Sequence, residues 1–298
     1  MFKPEGIVPA MVTPLRDDQS LNEPVLRQLV RRYIAAGVHG LFCLGTNGEF
    51  FSLSFEEKVK VIEIVVEEAG GRVPVYAGTG CVSTQETIRL TGEARRVGAD
   101  VASIITPYFL AYTQQELKEH FLRVADAAAL PIILYNIPGR TGNALHPATV
   151  AELTLVPNIV GVKDSSGQFD NLLQYIGLSG SGFSVLAGTD SLILPSLFAG
   201  GSGAIAATAN VFPEDAVSVY ESWKRGAFEE ANEAQNRLNA FRSVLSIGTL
   251  PSVLKEAMML AGYDVGPPRS PVAPLDDAQR ELLKRVYGSL TSPIGTHS

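Results

Sequence analysis

From residue 6 to residue 223 the chain alternates short apolar runs with amphipathic segments. The apolar runs are Gly6–Thr13, Gly40–Leu44, Val73–Gly78, Val101–Thr106, Pro131–Tyr135, Ile159–Lys163, Phe183–Ala187 and Gly203–Ala206. They are nearly continuous in apolar residues rather than alternating, which is the pattern of parallel strands buried on both faces. Between them, Glu23–Ala36, Phe55–Ala69, Thr84–Val97, Gln114–Ala128, Pro147–Leu153, Asp170–Ile176, Ser191–Ala199 and Pro213–Trp223 space their apolar residues by three and four, with charges on the other face. That spacing predicts helices with one buried stripe. Eight strand–helix units over about 220 residues predict an α/β fold of the (β/α)8 TIM-barrel type. The competing doubly wound sheet usually opens with a glycine-rich phosphate loop after its first strand. Here the first run ends in Val12-Thr13-Pro14-Leu15, without one. After Trp223 only helical patterns remain, near Phe228–Ser243, Pro251–Leu260 and Asp276–Tyr287. The expected organisation is a catalytic barrel over residues 1–224 and a C-terminal helical extension over 225–298, packed on the barrel.

Composition narrows the function classes. Of the 298 residues, 46% are hydrophobic and 18% charged, a balance that excludes wholesale disorder. The formal net charge is −7 and no basic cluster stands out, so no nucleic-acid partner is expected. Between Asn171 and Pro213 the only charged residue is Asp190, but Gly, Ser, Thr and Pro break the stretch and no membrane span is expected. The N-terminal segment has no long apolar run, so a cytoplasmic location is expected. His39, His120, His146 and His297 show no ligand spacing, and Cys43 and Cys81 form no CxxC motif. A metal site is therefore not expected.

Polar residues collect just after the predicted strands, which in a barrel is the catalytic face. Lys163 is the sharpest signal: it ends the apolar run Ile159-Val160-Gly161-Val162, whereas most other lysines lie in charged, helical or terminal segments. An amine in a barrel mouth can attack a carbonyl carbon and form a Schiff base. The alternative is a structural lysine paired with a carboxylate such as Glu49. Tyr135 ends the neighbouring run; its phenol can carry protons, or can simply be a buried tyrosine bonded to backbone. Thr46 and Asn47 lie in a glycine-flanked turn whose N–H groups can hold a carboxylate, or which is merely a turn. Arg140, between Gly139 and Thr141, is a forked cation suited to a carboxylate, or a surface arginine.

With GTNGEF, TPYF, YNIPGRTG, GVKDSSG, AGTD and GGSGAIAATANV in this order and spacing, the chain resembles the dihydrodipicolinate synthase/N-acetylneuraminate lyase family from about Gly6 to Pro274. The resemblance implies a barrel with a helical appendix, usually a homotetramer, that needs no metal or organic cofactor. It implies that Lys163 is the Schiff-base lysine for pyruvate or a 2-oxo acid and that Tyr135 shuttles protons. Thr46 and Asn47 would hold the pyruvate carboxylate, with Gly188 and Ile205 lining the site. Arg140 within YNIPGRTG matches the arginine that binds the carboxylate of aspartate semialdehyde. The lead expectation is therefore the synthase branch, which condenses these two small molecules in lysine biosynthesis. Other features lean elsewhere. Phe109 stands where the synthases place a second relay tyrosine, with Tyr108 or Tyr112 as possible substitutes. Asn47 replaces a usual threonine, Asp190 resembles an aspartate that contacts sugar hydroxyls, and LPSVLKEAM resembles the aldolase branches. These keep open an aldolase or dehydratase for a 2-oxo-3-deoxy sugar acid or 4-hydroxy-2-oxoglutarate, and a non-catalytic ligand-binding relative. Val82, Phe55 and Lys58 replace residues of the family's lysine-feedback pocket, so little inhibition by lysine is expected.

Overall fold

The computed structural model describes residues 2–178 and 182–292. The end of the expected extension, with His297, lies outside them. Every predicted strand and helix is present, with ends moved by a few residues. In chain order they are β1 (Gly6–Pro9), α1 (Glu23–Ala35), β2 (Leu41–Cys43), α2 (Phe55–Ala69), β3 (Val75–Gly78), α3 (Thr84–Arg96), β4 (Val101–Ile105), α4 (Gln114–Ala127) and β5 (Ile132–Asn136). Then come α5 (Pro138–Thr141), α6 (Pro147–Leu153), β6 (Ile159–Asp164), α7 (Phe169–Leu178), β7 (Ser184–Ala187), α8 (Ile193–Phe198), β8 (Gly203–Ala206) and α9 (Pro213–Lys224). The extension holds α10 (Phe228–Arg242), α11 (Ser252–Leu260) and α12 (Asp277–Thr291). The patterning did not predict the four-residue α5, because a single turn has no periodicity to read.

Helix starts follow local chemistry. Ser54, Thr113 and Asp276 cap α2, α4 and α12 in reciprocal boxes with Glu57, Glu116 and Gln279, and proline opens α1, α6 and α9. The eight strands run parallel in the order β1-β8-β7-β6-β5-β4-β3-β2, and an Ala10–Phe42 bridge brings β1 to β2 to close the barrel. Val8, Phe42, Tyr76, Ile133, Leu186 and Ile205 are among the residues filling its interior. A larger apolar layer lies between strands and helices.

One irregularity matters for the site. Ile132 pairs with Ile159, but Ile133 pairs with Gly161, so Val160 is an extra residue in β6. This bulge shifts the phase of the strand. Val160 points into the barrel, Val162 points out to the helices, and Lys163 comes into register with Tyr135.

The extension is bonded into the barrel rather than laid against it. Lys255 of α11 meets Glu49, at the end of the turn after β2, at 2.6 Å; the two are 1% and 0% exposed. Lys255 also donates to the Pro267 carbonyl, and the Arg269 amide donates to the other Glu49 oxygen at 2.7 Å. The Arg269 guanidinium grips Glu57 with two hydrogen bonds and donates to the Ser52 carbonyl. Burial pulls the Lys255 amine below its ordinary range, against the opposing pull of Glu49.

Removing one partner of such a pair strands a buried charge, at a cost of about 3–5 kcal/mol. Lys255→Met is expected to lower the melting temperature by roughly 10 °C, at about 2–4 °C per kcal/mol for a chain of this size. Glu49→Gln added to it is expected to restore most of that loss in thermal unfolding, because the stranded charge is gone. A second prediction concerns pH. Buried His120 bonds Thr84 through Nδ1, and burial lowers its pKa from 6.5 to about 4. Between these values the unfolded chain binds a proton that the folded chain does not, so stability falls as pH drops from 6.5 to 4, by about 3 kcal/mol. Urea midpoints across that range are expected to fall less steeply in His120→Gln.

Candidate active site

The C-terminal ends of the strands open on a cavity of about 720 Å³. Its lining includes Thr46, Asn47, Tyr135, Arg140, Lys163, Gly188, Asp190 and Ile205, so eight of the nine residues singled out from sequence are brought together. Tyr108 is the exception and is a correction: it does not line the cavity. Its ring stands edge-on to Phe50 behind the turn, and burial raises its phenol to about 12.

Lys163 lies near the end of β6 and is 3% exposed. Its ammonium sits 3.9 Å from the centroid of the Tyr135 ring and 5.0 Å from that of Phe42. It forms no ion pair among the described residues; the Glu49 carboxylate, its expected structural partner, belongs to Lys255. Its position is tightly held from one side. A Cβ on Gly188 would come within 2.0 Å of Ser165 Oγ and 3.0 Å of Lys163 Cε, so only glycine fits there. Asp164, the next residue, accepts hydrogen bonds from Asn136 and Ser166 and pins the strand end.

Tyr135 shares a 3.2 Å hydrogen bond with Thr46 Oγ1. Thr46 opens a one-turn 3-10 helix, Thr46–Gly48, between Leu44 and Glu49, both of which adopt left-handed backbone (φ 59° and 56°). Non-glycine residues rarely do so, and the surrounding bonds hold the turn there. Thr13 Oγ1 donates to the Gly48 carbonyl, and Asn47 donates weakly to the Ala10 carbonyl. The Thr46 hydroxyl thus joins a carboxylate-sized turn to the phenol that lies against the lysine.

Arg140 stands exposed on α5. That turn is fixed from below: Thr106 donates to Thr141 Oγ1, and the Asn143 amide donates to the carbonyls of Pro107 and Leu110. The same bonds steady the loop carrying Phe109, which is 89% exposed with φ 85° and does not line the cavity. Asp190 is buried at the wall, and its two oxygens accept the amides of Ala207 (3.1 Å) and Thr208 (2.6 Å). Its carboxylate is committed to backbone rather than directed at a ligand.

Sequence reasoning missed part of the lining. Arg242, at the end of α10, and Ser243, Leu245, Ser246 and Gly248 to Leu250, from the α10–α11 connection, form one wall. Their signal was faint, since a loop between two appendix helices has no strand end to mark it. No group of three or more His, Cys, Asp or Glu side chains among the described residues can hold a metal. Among the described residues no helix is long and apolar enough to cross a membrane.

Amine, phenol and hydroxyl in this arrangement suit imine chemistry: a nucleophile, a proton carrier beside it and a turn for a carboxylate. Lys163→Ala is expected to abolish the adduct that pyruvate and borohydride leave on the intact chain, read by mass spectrometry. Tyr135→Phe is expected to keep the trap but lower kcat by about a hundredfold, the usual scale for losing one positioned proton carrier.

The chain is similar to several known proteins. The family model described as the Dihydrodipicolinate synthetase family matches residues 3–288. A 4-hydroxy-tetrahydrodipicolinate synthase of Methanopyrus kandleri is 44% identical over 97% of each chain. The dihydrodipicolinate synthase DapA-2 of Bacillus anthracis superposes with a TM-score of 0.94 at 31% identity, over 98% of this chain and 100% of that one. YagE, a prophage protein from E. coli K12 solved in complex with pyruvate, gives 0.92 at 34% identity over 96% and 98%. This chain belongs to the dihydrodipicolinate synthetase family.

Proposed function

We propose that the protein is a 4-hydroxy-tetrahydrodipicolinate synthase, condensing pyruvate with aspartate semialdehyde through a lysine imine. The observation that carries this reading is the Arg140 guanidinium, which shares a cavity with the Lys163 amine and has no acidic partner among the described residues. The relatives named for this activity support it.

In this reading the Lys163 nitrogen attacks the pyruvate carbonyl carbon and water leaves, giving a protonated imine. Loss of a methyl proton gives the enamine, whose carbon attacks the aldehyde carbon. The aldehyde oxygen takes up a proton as the carbon–carbon bond forms. Tyr135 and Thr46 carry these protons, and the Thr46–Asn47 turn holds the pyruvate carboxylate. Arg140 orients the second substrate by its carboxylate, a match of planar fork to planar anion. The amino group of the condensed chain then attacks the imine carbon, closes the ring and frees the lysine.

The sugar-acid alternative loses support from Asp190, whose oxygens are taken by backbone amides. Phe109 argues against a relay through a second tyrosine, since a phenyl ring has no proton to give. The exposed Phe51, Phe109 and Leu110, on the loops after β2 and β4, support self-association, and a homotetramer in the cytoplasm is part of the proposal.

Arg140→Ala is expected to lower kcat/KM for aspartate semialdehyde by roughly a hundredfold, the scale of losing a charge-assisted bidentate contact, while the pyruvate trap on Lys163 persists. An unchanged rate with aspartate semialdehyde would sink this assignment.

A further inference from the structure

The cavity contains a second guanidinium. Arg242 is the last residue of α10, and Ser243, Leu245, Ser246 and Gly248 to Leu250 continue the wall that it begins. Its side chain is exposed and makes no ion pair, hydrogen bond or ring contact among the described residues, as is true of Arg140. Arg27, Arg31, Arg96, Arg225, Arg237, Arg269 and Arg280 pair with carboxylates elsewhere in the chain; of the arginines without a carboxylate, Arg140 and Arg242 are the two that line this cavity. The lining therefore carries Lys163, Arg140 and Arg242 against one acid, Asp190, whose oxygens are held by two backbone amides and pair with none of the three. A protein of net charge −7 has gathered three basic side chains against a single carboxylate at one cavity.

A cation at a helix C-terminus is favoured by the carbonyl ends there, and Arg242 gains from that. The helix end explains a positive residue; it does not explain a free guanidinium on the wall of the site. One cation is accounted for by the imine, and one by a single carboxylate on the second substrate. The third adds an anion contact from the extension.

We infer that Arg242 is a second specificity-determining residue of the acceptor subsite, sharing with Arg140 the recognition of an aldehyde that carries a carboxylate. The inference rests on the function proposed above and deepens it. The barrel supplies one guanidinium and the C-terminal extension the other, so selection of the second substrate is divided between the two parts of the chain. Neutral aldehydes engage neither.

Steady-state kinetics with both substrates varied tests this. In Arg242→Ala the KM for aspartate semialdehyde is expected to rise about tenfold, with kcat within about threefold and the KM for pyruvate unchanged, the pattern of a lost binding contact to one substrate. Arg242→Lys is expected to recover much of the affinity and Arg242→Gln little. A role confined to ending α10 would instead change the melting temperature or both substrates together. An unaltered KM for aspartate semialdehyde in Arg242→Ala overturns the inference. If the wild-type protein does not turn over aspartate semialdehyde, the proposed function fails first, and the comparison passes to glyoxylate against glyceraldehyde. A drop of about fivefold or more in the glyoxylate preference of Arg242→Ala then still supports an anion-selecting role. An unchanged preference, or condensation of neither aldehyde, overturns it.

Discussion

The arrangement depends on the buried contact between Glu49 and Lys255. Glu49 closes the turn that presents Thr46 and Asn47, and Lys255 belongs to a helix more than two hundred residues further along the chain. Two opposite charges almost wholly removed from water hold each other by geometry, because neither has solvent to fall back on. The Arg269 amide and the Pro267 carbonyl complete the set. The left-handed Glu49 backbone, the hydroxyl of Thr46 and the phenol of Tyr135 are thus held in sequence from the C-terminal segment inward. The helices after the barrel act as a brace for the turn and as a wall for the cavity.

The electrostatics of the site run against those of the molecule. The surface as a whole repels anions, yet the cavity concentrates positive charge. Local fields in a cleft with low-dielectric walls outweigh a distant net charge that salt screens. Asp190 is instructive here. A carboxylate on the wall would ordinarily pair with a guanidinium, but here its oxygens accept two backbone amides instead. Its role is to tie the turn after β7 to the turn after β8, leaving the cations free.

The barrel was legible because its signal is repeated: eight apolar runs, each too short for a helix, separated by three- and four-spaced segments. Gly203–Ala206, Phe55–Ala69 and Pro147–Leu153 have the bounds that their patterns predict. Site residues at strand ends were legible for the same reason, since position in the repeat implies the face. Tyr108 misled because it follows a strand end closely, yet the chain turns there and buries its ring against Phe50. Arg242 and the wall after it were invisible because nothing local distinguishes an active-site loop from any other helix connection. Lys255 carried a hint, a charge inside Val253-Leu254 and Ala257-Met258, but the identity of its partner is long-range information.

The orientation of Lys163 was decided by something that no pattern of residue types contains. Strict alternation from the inward Val160 would send Val162 into the barrel and Lys163 out among the helices. The extra residue in β6 reverses that parity. The reactive amine is therefore encoded in how β6 pairs as much as in side-chain identity. Were the same residues paired with β5 without the bulge, Lys163 would stay in the sequence and leave the chemistry, pointing out among the helices. Deleting Val160 or Gly161 would instead remove the doubled position and keep Lys163 opposite Tyr135. In a barrel of this kind a nucleophile can thus be gained or lost by a change of strand pairing, with no codon for the functional residue altered.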